Sequence, residues 1–176
     1  MPERPEMSII VPVYNEAANL DAFFARLDPV LARLGLNAEI VCIDDGSRDN
    51  SWSLLAGRQR HDPRLRLIRL SRNFGKDIAL SAGLQHAVGR AAIPIDADLQ
   101  HPPELIETLV ARWREGYDMV YAQRQSRDTD SWARRQFSRG FYALFRRFSD
   151  IQMPPGAGDF RLLDRSEEHT SELQSR

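Results

Sequence analysis

Asp96 and Asp98 flank a single alanine at the end of the apolar run Ala91-Ala92-Ile93-Pro94-Ile95, where a buried strand would emerge into water. On an extended strand residues i and i+2 point to the same side, so this spacing can aim two carboxylates at one divalent cation. A hard ion held by few carboxylates, its shell completed by water and substrate phosphates, is the usual magnesium arrangement at nucleotide diphosphates. By itself the pair is better read as a solvated strand end or a helix cap before Pro102-Pro103. The elements around it change that balance.

Those elements alternate. Met7 to Val13 reads as a short buried strand, and Asn15-Glu16 opens a helical pattern to about Leu34, with Leu20, Phe23, Phe24, Leu27 and Leu31 at helical spacing and Gly35 as its stop. Ala38 to Asp44 is a second strand, Asp45-Gly46-Ser47 a turn rich in capping groups, and a helix from about Asp49 to Arg60 follows. Leu65 to Leu70 is a third strand, Ser71 to Gly75 a loop and Lys76 to Val88 a helix. The fourth strand is Ala91 to Ile95; Pro103 suits a first helical position, its helix runs to Glu115, and Asp118 to Ala122 is a fifth strand. This alternation predicts an α/β domain with a mostly parallel sheet covered by helices on both faces. Ligands bind such sheets at the carboxyl ends of the strands. Tyr14-Asn15-Glu16, Asp44-Asp45 and Asp96-Ala97-Asp98 all fall on that edge. Like charges repel, and a bound cation or sugar hydroxyls would offset three acidic clusters on one rim.

Several classes are disfavoured. The loop after the first strand contains no G-x-G-x-x-G, and Gly75-Lys76 is followed by Asp77 without the upstream glycine of a P-loop. A nucleotide would be gripped by side chains and a metal instead of a glycine cradle. The formal charge of -1 carries no nucleic-acid signature. Cys42, the only cysteine, sits in an apolar strand as a packed thiol, and His61, His86 and His101 share no ligand spacing and read as surface or helix residues. No signal peptide and no run of about 18 apolar residues is present, which makes cytoplasmic exposure the default expectation.

Five segments in order, residues 8–16 (SIIVPVYNE), 42–47 (CIDDGS), 70–76 (LSRNFGK), 95–104 (IDADLQHPPE) and 158–162 (GDFRL), resemble the family 2 glycosyltransferases. They are most similar to the bacterial polyprenyl-phosphate glycosyltransferases related to dolichol-phosphate mannose synthase, over roughly residues 7 to 164. The resemblance implies the Rossmann-like GT-A fold and inverting transfer of a sugar from a nucleotide sugar, UDP-linked by expectation, to a polyprenyl phosphate. It implies Pro12, Tyr14, Asn15, Glu16, Asp44 and Asp45 around the nucleoside, Asp96 and Asp98 as ligands of Mg2+ or Mn2+, and Gln100 close to acceptor or sugar. Arg124 becomes a phosphate ligand, against a solvated strand-end arginine, and Lys76 a second phosphate cation, against an exposed helix-start lysine. Asp159 is a candidate base, an orienting group or simply a turn aspartate. Independently of the family, a lipid phosphate monoester has a second pKa near ~6 and is already an anionic nucleophile at neutral pH.

Ser131 to Phe148 supplies a second line on the acceptor. At about 100° per residue Phe137, Phe141, Leu144, Phe145 and Phe148 share one face and Arg135, Arg139, Arg146 and Arg147 cluster opposite. Such a helix can lie in a headgroup layer, or it can be a surface helix packed on the sheet; the resemblance favours the membrane.

Residues 165–176 resemble the in-frame translation of a sequencing-library adapter and are set aside. The expected organisation is therefore a catalytic core over 1–130, an amphipathic helix with an acceptor-side motif over 131–164, and a natural protein that continues into membrane helices at the cytoplasmic face of the inner membrane. Nucleotide sugar, polyprenyl phosphate and the membrane surface are the expected partners, nucleic acid is not, and a homo-oligomer is possible. Transfer to a polysaccharide or soluble acceptor, and donor binding without turnover, are the alternatives.

Overall fold

The computed structural model describes residues 4–121 and 160–165. Within them six strands and four helices alternate: β1 (Met7–Val13), α1 (Leu20–Leu34), β2 (Ala38–Asp44), α2 (Ser51–Gln59), β3 (Leu65–Arg69), α3 (Lys76–His86), β4 (Ala91–Pro94), α4 (Leu105–Arg114), β5 (Met119–Tyr121) and β6 (Arg161–Asp164). They form one sheet of order β3-β2-β1-β4-β6-β5. β1 lies parallel between β2 and β4, with Ile9 opposite both Ile40 and Ile93. Every residue of β2 is buried, and only Pro12 of β1 is partly open, as strands covered on both faces must be.

The period of two along β1 sorts its side chains into two cores. Met7, Ile9, Val11 and Val13 pack with Phe23, Leu27, Leu55 and Ile106 from α1, α2 and α4. Ile10 packs with Val41, Ile43, Ala79 and Leu80 on the α3 side. Cys42 belongs to the first core, and burial pushes its thiol well above the ordinary range, so it stays protonated and inert.

The expected mixture of strands and helices is present, with four differences. β6 is a strand that the alternation pattern does not announce; it runs antiparallel between β4 and β5, pairing Ala92 with Leu163 and Val120 with Leu162. Its run is four residues long and its partners are distant in sequence, so no local signal marks it. α1 begins at Leu20 and not at Asn15, because Asn19 and Leu20 N–H donate to Glu16 O in a preceding turn while Asn15 stands at φ 56. β4 ends at Pro94, and Asp96 to Asp98 lead into a turn with Leu99 at φ 61. The two acids therefore do not project from one face of an extended strand. α3 ends at His86, where Ala87 turns extended. The Ser131 to Phe148 helix, Arg124 and Asp159 lie outside the described residues, and among the described residues no helix is long and apolar enough to cross a membrane.

Candidate active site

Strand order reverses beside β1: β2 and β3 extend one way and β4 the other. The carboxyl ends of β1 and β4 thus form the switch point at which open α/β sheets leave a crevice. Four segments meet on that edge: the 14–17 loop after β1, the 45–51 loop after β2, the 70–75 loop before α3 and the 96–100 turn after β4.

The first two loops are laced together by hydroxyls and carboxylates. Asn15 N–H donates to Ser47 Oγ at 3.0 Å, Glu16 N–H to Ser51 Oγ at 2.9 Å and Ala17 N–H to Asp49 Oδ2 at 3.0 Å. In return Arg48 N–H donates to Asn15 Oδ1 at 2.8 Å. Ser47, which reads from sequence as part of a capping turn, serves the neighbouring loop instead, and Ser51 does the same. Asn19 Nδ2 holds Glu16 Oε2 at 2.6 Å, and Tyr14 stays 40% exposed above the crevice.

Asp44 and Asp45 are buried and not on an open rim. Asp44 Oδ1 accepts from Ser47 N–H at 3.1 Å. Its Oδ2 has Arg69 Nε at 3.2 Å without the alignment of a hydrogen bond. Asp45 N–H donates to Val13 O, and its two carboxylate oxygens accept the N–H groups of Phe74 and Gly75, each at 2.8 Å. Asp45 thereby clamps the segment that opens α3. Gly46 permits this: it stands at φ +69, and a Cβ there would lie 2.5 Å from the backbone carbon of Arg72.

The clamped segment hands Lys76 to the acid pair. Lys76 Nζ donates to Asp96 Oδ2 at 2.6 Å, with side chains 39% and 24% exposed. Asp98 Oδ1 accepts Gln100 N–H at 3.0 Å, folding the turn back through Leu99. Ile95 N–H donates to Ile10 O, which ties the turn to β1. His101, read from sequence as a surface or helix residue, stacks on buried Phe160 at the start of β6, centroids 5.4 Å apart.

Pro12, Tyr14, Asn15, Glu16, Asp44, Asp45, Lys76, Asp96, Asp98 and Gln100 thus all lie on or beside one edge. The sequence assigns Gly46, Ser47, Asp49, Ser51 and His101 no part in the site: Gly46 and Ser47 read as a capping turn, Asp49 as a helix start and His101 as a surface or helix residue, and the D-G-S-R-D-N-S run is the hint of the three loop-to-loop acceptors. Among the described residues no group of three or more His, Cys, Asp or Glu side chains gathers as a metal cage. Asp96 and Asp98 nevertheless fit a hard divalent ion: they offer carboxylate oxygens in a half-open turn, and phosphate and water can complete the shell.

An α/β sheet of this order with its loops gathered at the switch point has the GT-A fold. A mannosyltransferase from Pyrobaculum calidifontis, solved with GDP-Man and Mn2+, superposes with a TM-score of 0.60 at 23% identity, covering 98% of this chain and 47% of that one. Glucosyl-3-phosphoglycerate synthase from Mycobacterium tuberculosis, solved with Mn2+, UDP and glucosyl-3-phosphoglycerate, gives 0.61 at 21% identity, over 92% of this chain and 57% of that one. A family profile described as Glycosyl transferase family 2 matches residues 8–169, and the chain belongs to that family. An uncharacterized glycosyltransferase of Synechocystis sp. is 51% identical over 160 residues, 91% of this chain and 50% of its own length. A prophage bactoprenol glucosyl transferase homolog of Escherichia coli is 40% identical over 160 residues, 91% of this chain and 52% of its length. The chain spans about half the length of the curated relatives it matches.

Proposed function

We propose that the chain is the donor-binding catalytic domain of an enzyme that transfers a sugar from a nucleotide sugar, UDP-linked, to a polyprenyl phosphate, with inversion and dependence on a divalent cation. The observation that carries this is the family match over residues 8–169 together with the convergence of the Tyr14 loop and the Asp96-Asp98 turn at one switch point. The acceptor rests on the relatives named as bactoprenol glucosyl transferases.

The residues divide the work. Tyr14 offers an exposed ring to the base, and Pro12, Asn15, Glu16, Asp44 and Asp45 shape the nucleoside pocket around it. Asp96 and Asp98 would hold the cation, which as a Lewis acid would stabilise charge on the departing diphosphate. Lys76 adds a second positive charge beside Asp96. Gln100 borders the sugar and acceptor side. An oxygen of the acceptor phosphate attacks the anomeric carbon, the bond from that carbon to the donor phosphate breaks, and its electron pair leaves on the nucleoside diphosphate. The acceptor dianion needs little deprotonation at neutral pH, with its second pKa near ~6. Asp159 then orients substrate or acts as a base, and Arg124 neutralises phosphate. The organisation into a core over 1–130 and an acceptor-side segment over 131–164, whose arginine and aromatic faces meet the cytoplasmic leaflet, belongs to the same reading.

Incubation of the protein with radiolabelled UDP-glucose, Mg2+ and undecaprenyl phosphate in detergent should give label in the lipid phase that requires both metal and acceptor. Label released only as free sugar, or equal transfer to a short soluble acceptor after the arginines at 135, 139, 146 and 147 are neutralised, would overturn the lipid acceptor.

A further inference from the structure

Lys76 is the one lysine among 24 basic residues, and it is the first residue of α3. A helix N-terminus carries partial positive charge and disfavours a cation unless something compensates. Asp96 compensates, through the 2.6 Å ion pair from Nζ to Oδ2. The approach is fixed from behind: Asp45 takes the N–H groups of Phe74 and Gly75, and Gly75 at φ 97 turns the chain into the helix. A buried carboxylate on the nucleoside side of the edge thus determines where the ammonium stands on the cation side.

Asp96 is also the first of the two carboxylates assigned to the divalent ion. An ammonium in contact with Asp96 Oδ2 repels a divalent cation on the same carboxylate, so the two positive groups oppose each other there. A donor diphosphate would relieve that opposition, because its oxygens can take the ammonium away from Asp96 and leave the carboxylate to the cation. The lysine stem is long enough, and its head open enough to solvent, to move between two acceptors without refolding of α3.

We propose that Lys76 is a positioning residue that couples cation and donor: it opposes cation capture by Asp96 in the absence of a diphosphate and ceases to oppose it once one is bound. This rests on the nucleotide-sugar reading of the site. The consequence is that cation and nucleotide enter together instead of the cation residing alone.

The test is titration of Mn2+ by electron paramagnetic resonance, with and without UDP, on the wild type, Lys76→Met and Lys76→Arg. In the wild type UDP should tighten Mn2+ binding. Lys76→Met should bind Mn2+ alone about 3- to 10-fold more tightly than wild type, by loss of the opposing charge, and should lose a similar factor of the UDP enhancement. Lys76→Arg, which keeps the charge, should retain most of the enhancement. Unchanged or weaker Mn2+ binding by Lys76→Met without UDP would overturn the inference while leaving the site intact. A wild type whose Mn2+ affinity ignores UDP would instead overturn the nucleotide site itself. Superimposable circular dichroism melts for the three proteins exclude misfolding as the cause of any difference.

Discussion

The His101 ring lies nearly parallel to the Phe160 ring, with 5.4 Å between centroids and 12° between planes. His101 closes the turn that carries Asp96 and Asp98, and Phe160 leads into β6, so this stack fastens the acid turn to the inserted antiparallel strand. Phe160 is 1% exposed and belongs to the core that also holds Leu162 and Ile106. Phe160→Ala should lower unfolding free energy by about 3–5 kcal/mol. Urea denaturation measures it; a loss under about 1 kcal/mol would mean the site collapses around the deletion or the stack is not formed.

Gly46 and Gly35 separate two effects that a glycine can have. Both have positive φ, but a Cβ on Gly46 meets Arg72 backbone at 2.5 Å whereas one on Gly35 meets nothing within 4 Å. Gly46→Ala should destabilise by about 2–4 kcal/mol, strain plus forced displacement of the 70–75 loop, and should weaken UDP binding. Gly35→Ala should show only the conformational part, about 1–2 kcal/mol, with UDP binding untouched. Equal effects in paired chemical denaturation and UDP titrations would remove the close approach as an explanation.

Asp45 presents both carboxylate oxygens to backbone N–H groups. Asp45→Ala leaves Phe74 and Gly75 donors without their acceptor, at about 1–3 kcal/mol each. Hydrogen exchange at those two amides should accelerate by at least about tenfold while the β1 amides keep their protection. Uniform acceleration would indicate global unfolding, and no acceleration would remove Asp45 as the clamp.

Stability at acid pH should report Asp62. The Arg64 guanidinium bound to its carboxylate, against an opposing push from burial, brings its pKa from 3.8 down to about 2. A carboxylate depressed on folding stabilises above its unfolded pKa and ceases to do so as pH falls through the folded value. Wild-type stability should therefore fall between pH 4 and pH 2 by about 1–2 kcal/mol from this group, after discount for the partly open Arg64. Asp62→Asn should start less stable at pH 6 and flatten that decline, as followed by thermal melts across the range.

Periodicity in the sequence located the strands and helices well where one pattern persisted, as in α1 with Phe23, Leu27 and Val30 on its buried face. It misplaces the start of that helix, because Asn15 stands at φ 56 and the chain first turns onto Glu16 O, a loop shape held by Ser47 and Ser51 from another segment that no local rule contains. β6 was invisible as a strand for the same reason: its partners are β4 and β5, and four residues carry too little alternation. The site was legible as residue types on one edge, since strand ends follow from the alternation. Its wiring was not. That Asp45 points to Phe74 and Gly75, and Lys76 to Asp96, depends on how α3 docks against β1 and β2.

The proposed sharing of a cation between Asp96, Asp98 and a nucleoside diphosphate is tested by calorimetric titration of UDP. UDP should bind the wild type with Mn2+ present and bind at least about tenfold more weakly after chelation or in Asp96→Asn/Asp98→Asn, since the diphosphate loses its principal counter-charge. Equal UDP affinity with and without metal, in wild type and variant alike, would contradict it.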